Sequence, residues 1–277
     1  MTELKISKEY FSPRATFECG QVFRFYRIDG GYFAVSADKA CTVTERDGYT
    51  IITCEDSDEE YFRNYFDLDT DYKKIYAEAF RFGVSVLSEA VKIGRGLRLL
   101  KQDKTECLIS FIVSQQNNIP RIKGILSRLC KTLGEKKTFF GREFYAFPSL
   151  SRLAAQTEEF YRASGLGYRA KYVSETAKRL ETEGFSAVEG KKGNDLKRAL
   201  TQFTGVGNKV ADCVALFAFG ETAAFPVDTW IAKLYREDFG GKETDREKIN
   251  RYFTEKFGPN AGIFQQYLFY YKRGREI

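Results

Sequence analysis

The sequence of 277 residues contains no histidine. That absence removes Ser-His-Asp and Cys-His nucleophile systems, and with them the commonest zinc sites. Proton chemistry must come from lysine, carboxylates or tyrosine. The six cysteines (Cys19, Cys41, Cys54, Cys107, Cys130 and Cys213) are scattered, with no C-x-x-C pair and no even spacing. They read as buried thiols rather than disulfides or a metal site. No apolar run approaches the roughly 20 residues needed to cross a bilayer, and MTELKISKEYF lacks the apolar core of a signal peptide. A cytosolic protein that does not engage a membrane is expected. Internal repeats and low-complexity tracts are also missing. What is present, 43% apolar and 30% charged residues, is the balance of a soluble globular chain with a sizeable core.

Charge is unevenly distributed. Residues 54–72 hold eight acids against one arginine, so the rest of the chain carries about +13 where the whole carries +6. Such a remainder suits a polyanionic partner, although many basic proteins bind nothing in particular.

Two textures follow one another. From Phe17 to Cys54, short alternating runs are separated by glycine turns, including Asp29-Gly30 and Asp47-Gly48, which predicts antiparallel strands joined by hairpins. Beyond the acidic stretch the pattern is helical. Asp103-Lys104-Thr105-Glu106 reads as a capped start, and Thr244-Asp245-Arg246-Glu247 as a capping box. Further helices are expected over 119–132, 169–184, 194–203, 208–219, 228–237 and 260–272, with loops over 134–146 and 185–193. The expected fold class is α+β: an antiparallel β-sheet domain over 1–102, then an all-helical domain over 103–277.

TGVGNKVADC, residues 204–213, concentrates the chemistry. It joins two helical patterns through Gly205, Val206 and Gly207, a helix–hairpin–helix connection whose free backbone N–H groups suit a phosphate. A plain αα-hairpin with glycine at the bend has the same local pattern. Lys209 then stands at the mouth of an otherwise apolar helix. It is either a lysine that snorkels outward or an amine nucleophile, since an apolar wall favours the uncharged form that attacks. Asp228, two residues after Pro226, should cap the next helix. As a capping carboxylate it is expected to stay ionised and to help deprotonate Lys209.

Hairpin, lysine, apolar helix and PVD together resemble the 8-oxoguanine DNA glycosylase/AP lyase family of the helix–hairpin–helix glycosylase superfamily. The likeness runs from CGQVFRF through LRLLKQDKTECLISFIVSQQNNIPRI, YAFPSL, GLGYRAKYV, GVGNKVADC and PVDTW to GPNAGIFQQYLF. It implies that Lys209 attacks the anomeric carbon and forms a Schiff base, and that Asp228 stabilises the oxocarbenium-like transition state. It implies further that the Gly20 carbonyl senses the ring proton peculiar to 8-oxoguanine. Gln265 would read the pairing edge of the flipped base, while Phe269 and Cys213 cover its faces. Arg121, Tyr168 and Arg169, with Gln116 and Asn117 beside them, would fill the vacated stack and contact the orphaned cytosine. Tyr168 is the wedge candidate. The partner is double-stranded DNA containing 8-oxoguanine, met by a monomer. No cofactor is implied: no cysteine follows Cys213, so no iron–sulfur loop is expected. A monovalent cation between the hairpin carbonyls and phosphate is compatible with the fold.

Two positions depart from the family pattern. Trp230 stands where a phosphate-contacting histidine is usual, and Lys272 where an acid is usual. The phosphate grip is therefore expected to use the indole N–H or Lys272. Gln116 also replaces a common asparagine. Two rival readings are a DNA-binding protein that uses the hairpin only as a phosphate clamp, and a monofunctional glycosylase for alkylated bases that uses Asp228 with water.

Overall fold

The computed structural model describes residues 1–275. The chain opens with β1 (Thr2–Ser7) and the short α1 (Pro13–Glu18), then runs through β2 (Phe25–Ile28), β3 (Gly31–Ser36), β4 (Lys39–Arg46) and β5 (Tyr49–Cys54). These strands form one antiparallel sheet in the order β1-β5-β4-β3-β2. The β4–β5 turn holds Asp47 and Gly48 at φ of 52° and 80°, the mirror-image turn that an Asp-Gly pair favours. Two elements depart from the expected strand block. Phe17 belongs to α1 rather than to a strand, and β1 lies outside the block because its ladder partner β5 is some fifty residues away.

The acidic stretch is itself largely helical. In α2 (Glu59–Tyr65) the acids face solvent, while Phe62 and Tyr65 pack with Phe11, Phe17 and Phe66 beneath the sheet. Then follow α3 (Tyr72–Arg81), α4 (Ser85–Ile93), α5 (Lys104–Ser114) and α6 (Ile119–Leu133). The expected loop over 134–146 is instead a hairpin, β6 (Lys136–Phe139) and β7 (Arg142–Tyr145). Its lysines and glycine suggest a loop, but Phe139 and Phe144 bury themselves against Phe33, Val35 and Ala40 of the sheet. The sheet is thus covered on both faces.

The rest is helical: α7 (Leu150–Ala154), α8 (Glu158–Tyr161), α9 (Arg169–Glu183), α10 (Gly193–Leu200), α11 (Asn208–Ala218), α12 (Thr229–Asp238), α13 (Arg246–Phe257) and α14 (Ala261–Gly274). Asp103 caps α5, its carboxylate accepting from the Glu106 N–H at 2.9 Å. The cap of α13 is Asp245 rather than Thr244, and Glu243 takes the N–H groups of Thr244 and Asp245. The main core draws on both sides of residue 102, since Tyr72, Ile75, Leu87 and Leu97 join the helical residues in one cluster.

A buried ion pair ties the sheet to the helices. Arg24 meets Glu106 at 2.8 Å, each side chain less than 8% exposed. Glu106 also accepts the Ala37 N–H at 2.7 Å, which steadies a turn whose alanine sits at φ 51°. Burial pushes the Glu106 carboxyl upward, against the Arg24 charge and the Ala37 N–H. Among the described residues, no helix is long and apolar enough to cross a membrane.

Candidate active site

The hairpin between α10 and α11 is tight for a definite reason. Gly205 has φ +80°, and a Cβ there would stand 2.3 Å from Cγ of Tyr172. Glycine supplies the positive φ and leaves room for the ring. The Gly205 carbonyl accepts from Gln115 Nε2 at 2.8 Å, and the Thr204 carbonyl from Thr176 Oγ1 at 3.1 Å. Gly207 caps α11 without any side-chain bond, so the first N–H groups of that helix keep their pull on an anion. Val206 differs from the expected phosphate contact. Its side chain is buried, and its N–H is committed to the Phe203 carbonyl at 3.0 Å.

α11 and α12 open onto a cavity of about 940 Å³ whose wall includes Gly20, Phe23, Phe111, Lys209, Asp228 and Phe269. Lys209 is half-buried, its Nζ 5.3 Å from the Phe111 ring centroid. One turn on, the thiol of Cys213 is pushed up to about 11 by burial, and the adjacent Lys209 charge offsets only part of this. Asp228 caps α12, its Oδ1 accepting from the Ile231 N–H at 2.9 Å. The backbone N–H it accepts favours the ionised form, as expected of a capping carboxylate, but it does not act alone. Burial raises the carboxyl, and the Ile231 N–H and the Lys209 charge act against that rise without overcoming it.

Gly20 faces the cavity from the sheet side. It sits at φ +82°, and a methyl there would lie 3.3 Å from Cε1 of Phe269. The next residue fixes it. Gln21 Nε2 donates to the Thr16 and Arg98 carbonyls at 2.9 and 2.8 Å, and Gln21 Oε1 accepts from the Leu100 N–H at 2.9 Å. Cys213 and Gln265, expected as base contacts, are almost fully buried, and neither is among the residues that line the cavity.

The bend at residues 115–118 supplies the opposite rim. Gln116 and Asn117 line the cavity, and Gln116 holds a left-handed φ of 46°. Such a conformation marks a site where surrounding structure holds a strained backbone. What holds it is Arg169. Its guanidinium is buried and donates to the Gln115 carbonyl at 2.7 Å, the Gln116 carbonyl at 2.9 Å and the Leu166 carbonyl at 3.3 Å. Arg169 therefore braces the bend here instead of presenting itself to an unpaired base. Tyr168, 44% exposed, projects beside it with the Arg169 guanidinium against its ring. Arg121 is exposed near the start of α6.

Trp230 lies on the cavity wall, but Lys272 is not placed as expected. Its ammonium is buried against Glu237 and Asp238 at 2.7 Å each, so it neutralises acids of α12 rather than gripping a phosphate. One participant went unforeseen. Asp212 lines the cavity, lies one turn from Lys209 on α11, and bonds Lys197 at 2.9 Å and Asn250 Nδ2 at 3.1 Å. Burial pushes its carboxyl up to about 7, and the Lys197 charge offsets this only in part. The signal was a single acid inside an apolar helix. Among the described residues, no three His, Cys, Asp or Glu side chains are grouped so as to hold a metal ion.

Residues 3–108 match the family described as 8-oxoguanine DNA glycosylase, N-terminal domain, and residues 109–259 match the HhH-GPD superfamily base excision DNA repair protein family. The "N-glycosylase/DNA lyase OGG1" of Arabidopsis thaliana is 38% identical over 191 residues, 63% of this chain and 52% of that protein. The chain thus spans about half the length of that curated relative. A "Probable N-glycosylase/DNA lyase" of Methanothermobacter thermautotrophicus is 32% identical over 68% of this chain and 67% of its own length. The crystal structure of the Clostridium acetobutylicum 8-oxoguanine glycosylase/lyase, in complex with dsDNA containing cytosine opposite 8-oxoG, superposes with a TM-score of 0.92 at 33% identity. It covers 100% of this chain and 99% of that one. With both halves matched in order over one continuous fold, the chain belongs to the HhH-GPD superfamily of base excision DNA repair proteins, in the branch that carries the 8-oxoguanine DNA glycosylase N-terminal domain.

Proposed function

We propose that this protein excises 8-oxoguanine from duplex DNA and then cleaves the strand at the resulting site. The observation that carries the reading is that Lys209 and Asp228 line one cavity together with Gly20 and Phe269. The likeness to a glycosylase/lyase bound to dsDNA with cytosine opposite 8-oxoG supports the same substrate. In the proposed reaction the damaged nucleotide leaves the stack, Tyr168 fills the gap, and the base enters the cavity. The bond from C1′ to the base breaks with its electron pair going to the base, while the Lys209 nitrogen bonds to C1′. Asp228 stabilises the positive charge that develops on the sugar and accepts a proton from the amine. Burial suits it to that second task, because a raised carboxyl is a stronger base. Ring opening gives a Schiff base; loss of the 2′ proton then expels the 3′ phosphate.

Sodium borohydride added during reaction with an 8-oxoguanine:cytosine duplex tests this directly. The expected result is a covalent protein–DNA adduct that disappears in Lys209→Gln. Base release without any adduct would favour water as nucleophile, and salt-sensitive binding without base release would favour a DNA clamp.

A further inference from the structure

α14 carries two consecutive buried amides, Gln265 and Gln266. Gln265 Nε2 donates to the Pro226 carbonyl at 3.2 Å, and Gln265 Oε1 accepts from Gln266 Nε2 at 2.8 Å. The sense of this chain is dictated from one end. A proline carbonyl can only accept, so Gln265 must turn its nitrogen toward Pro226. Its oxygen then faces Gln266, which must answer with nitrogen. Turning either amide alone sets like atoms against each other. Gln266 Oε1 is left without a hydrogen-bond partner, a condition that among the buried side-chain nitrogens and oxygens of the described residues only the Tyr65 hydroxyl shares. An apolar side chain of similar size would fill the same space without stranding an acceptor, so packing alone does not account for the amide.

We propose that Gln266 is a positioning residue that locks the Gln265 amide in one orientation, so that the amide accepts a guanine-type pairing edge and opposes an adenine-type edge. The inference rests on the proposed function, in which a flipped base enters the cavity, and on the resemblance-based expectation that Gln265 meets its pairing edge. After its two internal bonds, Gln265 retains one N–H and one lone pair. A guanine edge offers an acceptor at O6 beside a donor at N1; an adenine edge offers a donor at N6 beside an acceptor at N1. The two patterns are reversed. An amide free to rotate could satisfy either, whereas a locked one satisfies only one. Because Pro226 lies two residues before Asp228, the same bond also ties the reading helix to the segment that carries the carboxylate.

The experiment compares single-turnover release of 8-oxoguanine and 8-oxoadenine, each opposite cytosine, by the full chain and by Gln266→Met, Gln266→Glu and Gln265→Ala. Cleavage of a preformed abasic site, which has no base edge to read, is measured in parallel. In Gln266→Met the 8-oxoguanine to 8-oxoadenine rate ratio is expected to fall about tenfold, with abasic cleavage held within about twofold. Gln266→Glu gives a second signature. Its protonated carboxyl can donate as the amide does, while its ionised form only accepts, so the ratio should fall as pH rises through the titration of that carboxyl, and the wild-type ratio should not. If Gln265→Ala lowers the ratio but neither Gln266 variant does, the lock is overturned and base reading by Gln265 stands. If Gln265→Ala also leaves the ratio unchanged, both are overturned. Parallel losses in base release and abasic cleavage at an unchanged ratio would reduce Gln266 to packing and overturn the lock.

Discussion

Replacing Lys197 with methionine should destabilise the protein in a way that depends on pH. Lys197 bonds Asp212 at 2.9 Å and Glu247 at 2.8 Å, and the Asp212 side chain is only 6% exposed. Without the ammonium, Asp212 keeps only the Asn250 amide at 3.1 Å. Left without its partner, the Asp212 carboxylate can take up a proton, which at pH 8 and from a value of about 7 costs about 1.4 kcal/mol, and the half-exposed Glu247 contact adds about 1 kcal/mol or less. At roughly 2–4 °C per kcal/mol for a chain of this size, the melting temperature should drop by about 3–10 °C at pH 8. The sign of the pH effect follows from the direction of the shift. Asp212 is raised from 3.8 to about 7 in the folded protein, so its contribution to stability is fullest below the unfolded value and is lost as pH climbs through 7. Removing Lys197 raises the folded value further and extends that loss above pH 7. Near pH 5 the carboxyl is protonated in both proteins, and the gap should shrink to the Glu247 contribution. Thermal melts of both proteins across this range provide the assay. A melting difference that stays constant from about pH 5 to 8 would refute the account, as would Lys197→Met/Asp212→Asn melting no higher than Lys197→Met at pH 8.

Other expectations concern the hairpin, the base check and the capping aspartate. Gly205→Ala combines a left-handed alanine, about 1–2 kcal/mol, with overlap against the Tyr172 ring, about 1–3 kcal/mol more. In urea unfolding, Tyr172→Ala in that background should recover only the overlap part, and a fully stable single variant would contradict the close approach. Gly20→Ala, with its methyl 3.3 Å from Phe269 Cε1, should lose discrimination between 8-oxoguanine and guanine more than it loses duplex affinity. Equal losses in excision and binding assays would count against a backbone check at Gly20. Asp228→Asn keeps a competent helix cap, so it should nearly abolish excision while lesion binding and thermal stability persist; undiminished turnover would remove Asp228 from the chemistry.

Local signals made much of the fold readable. Asp103 and Asp228 announce helix starts through the N–H groups they accept, and α11 and α12 end within a residue of the expected positions. The features that escaped are those decided across space. The β6–β7 hairpin looks like a loop because its lysines dominate the composition, yet two phenylalanines on its inner face find the sheet. Arg169 resembles a free DNA contact until the Gln115–Gln116 bend offers it carbonyls. Lys272 reads as an available cation until Glu237 and Asp238 close on it from another helix. Asp212 is a single acid in an otherwise apolar helix, and its partners Lys197 and Glu247 lie on α10 and at the start of α13, beyond any local pattern.

Gly20 and Phe269, neighbours in the cavity lining, come from opposite ends of the polypeptide, and Arg273 ties those ends by donating to the Glu18 carbonyl at 3.1 Å. This part of the lining is therefore a property of the whole tertiary frame. A graft of the helical half onto a foreign scaffold would inherit the nucleophile without the glycine that abuts Phe269, and a loop swap at either end alone could not rebuild that contact.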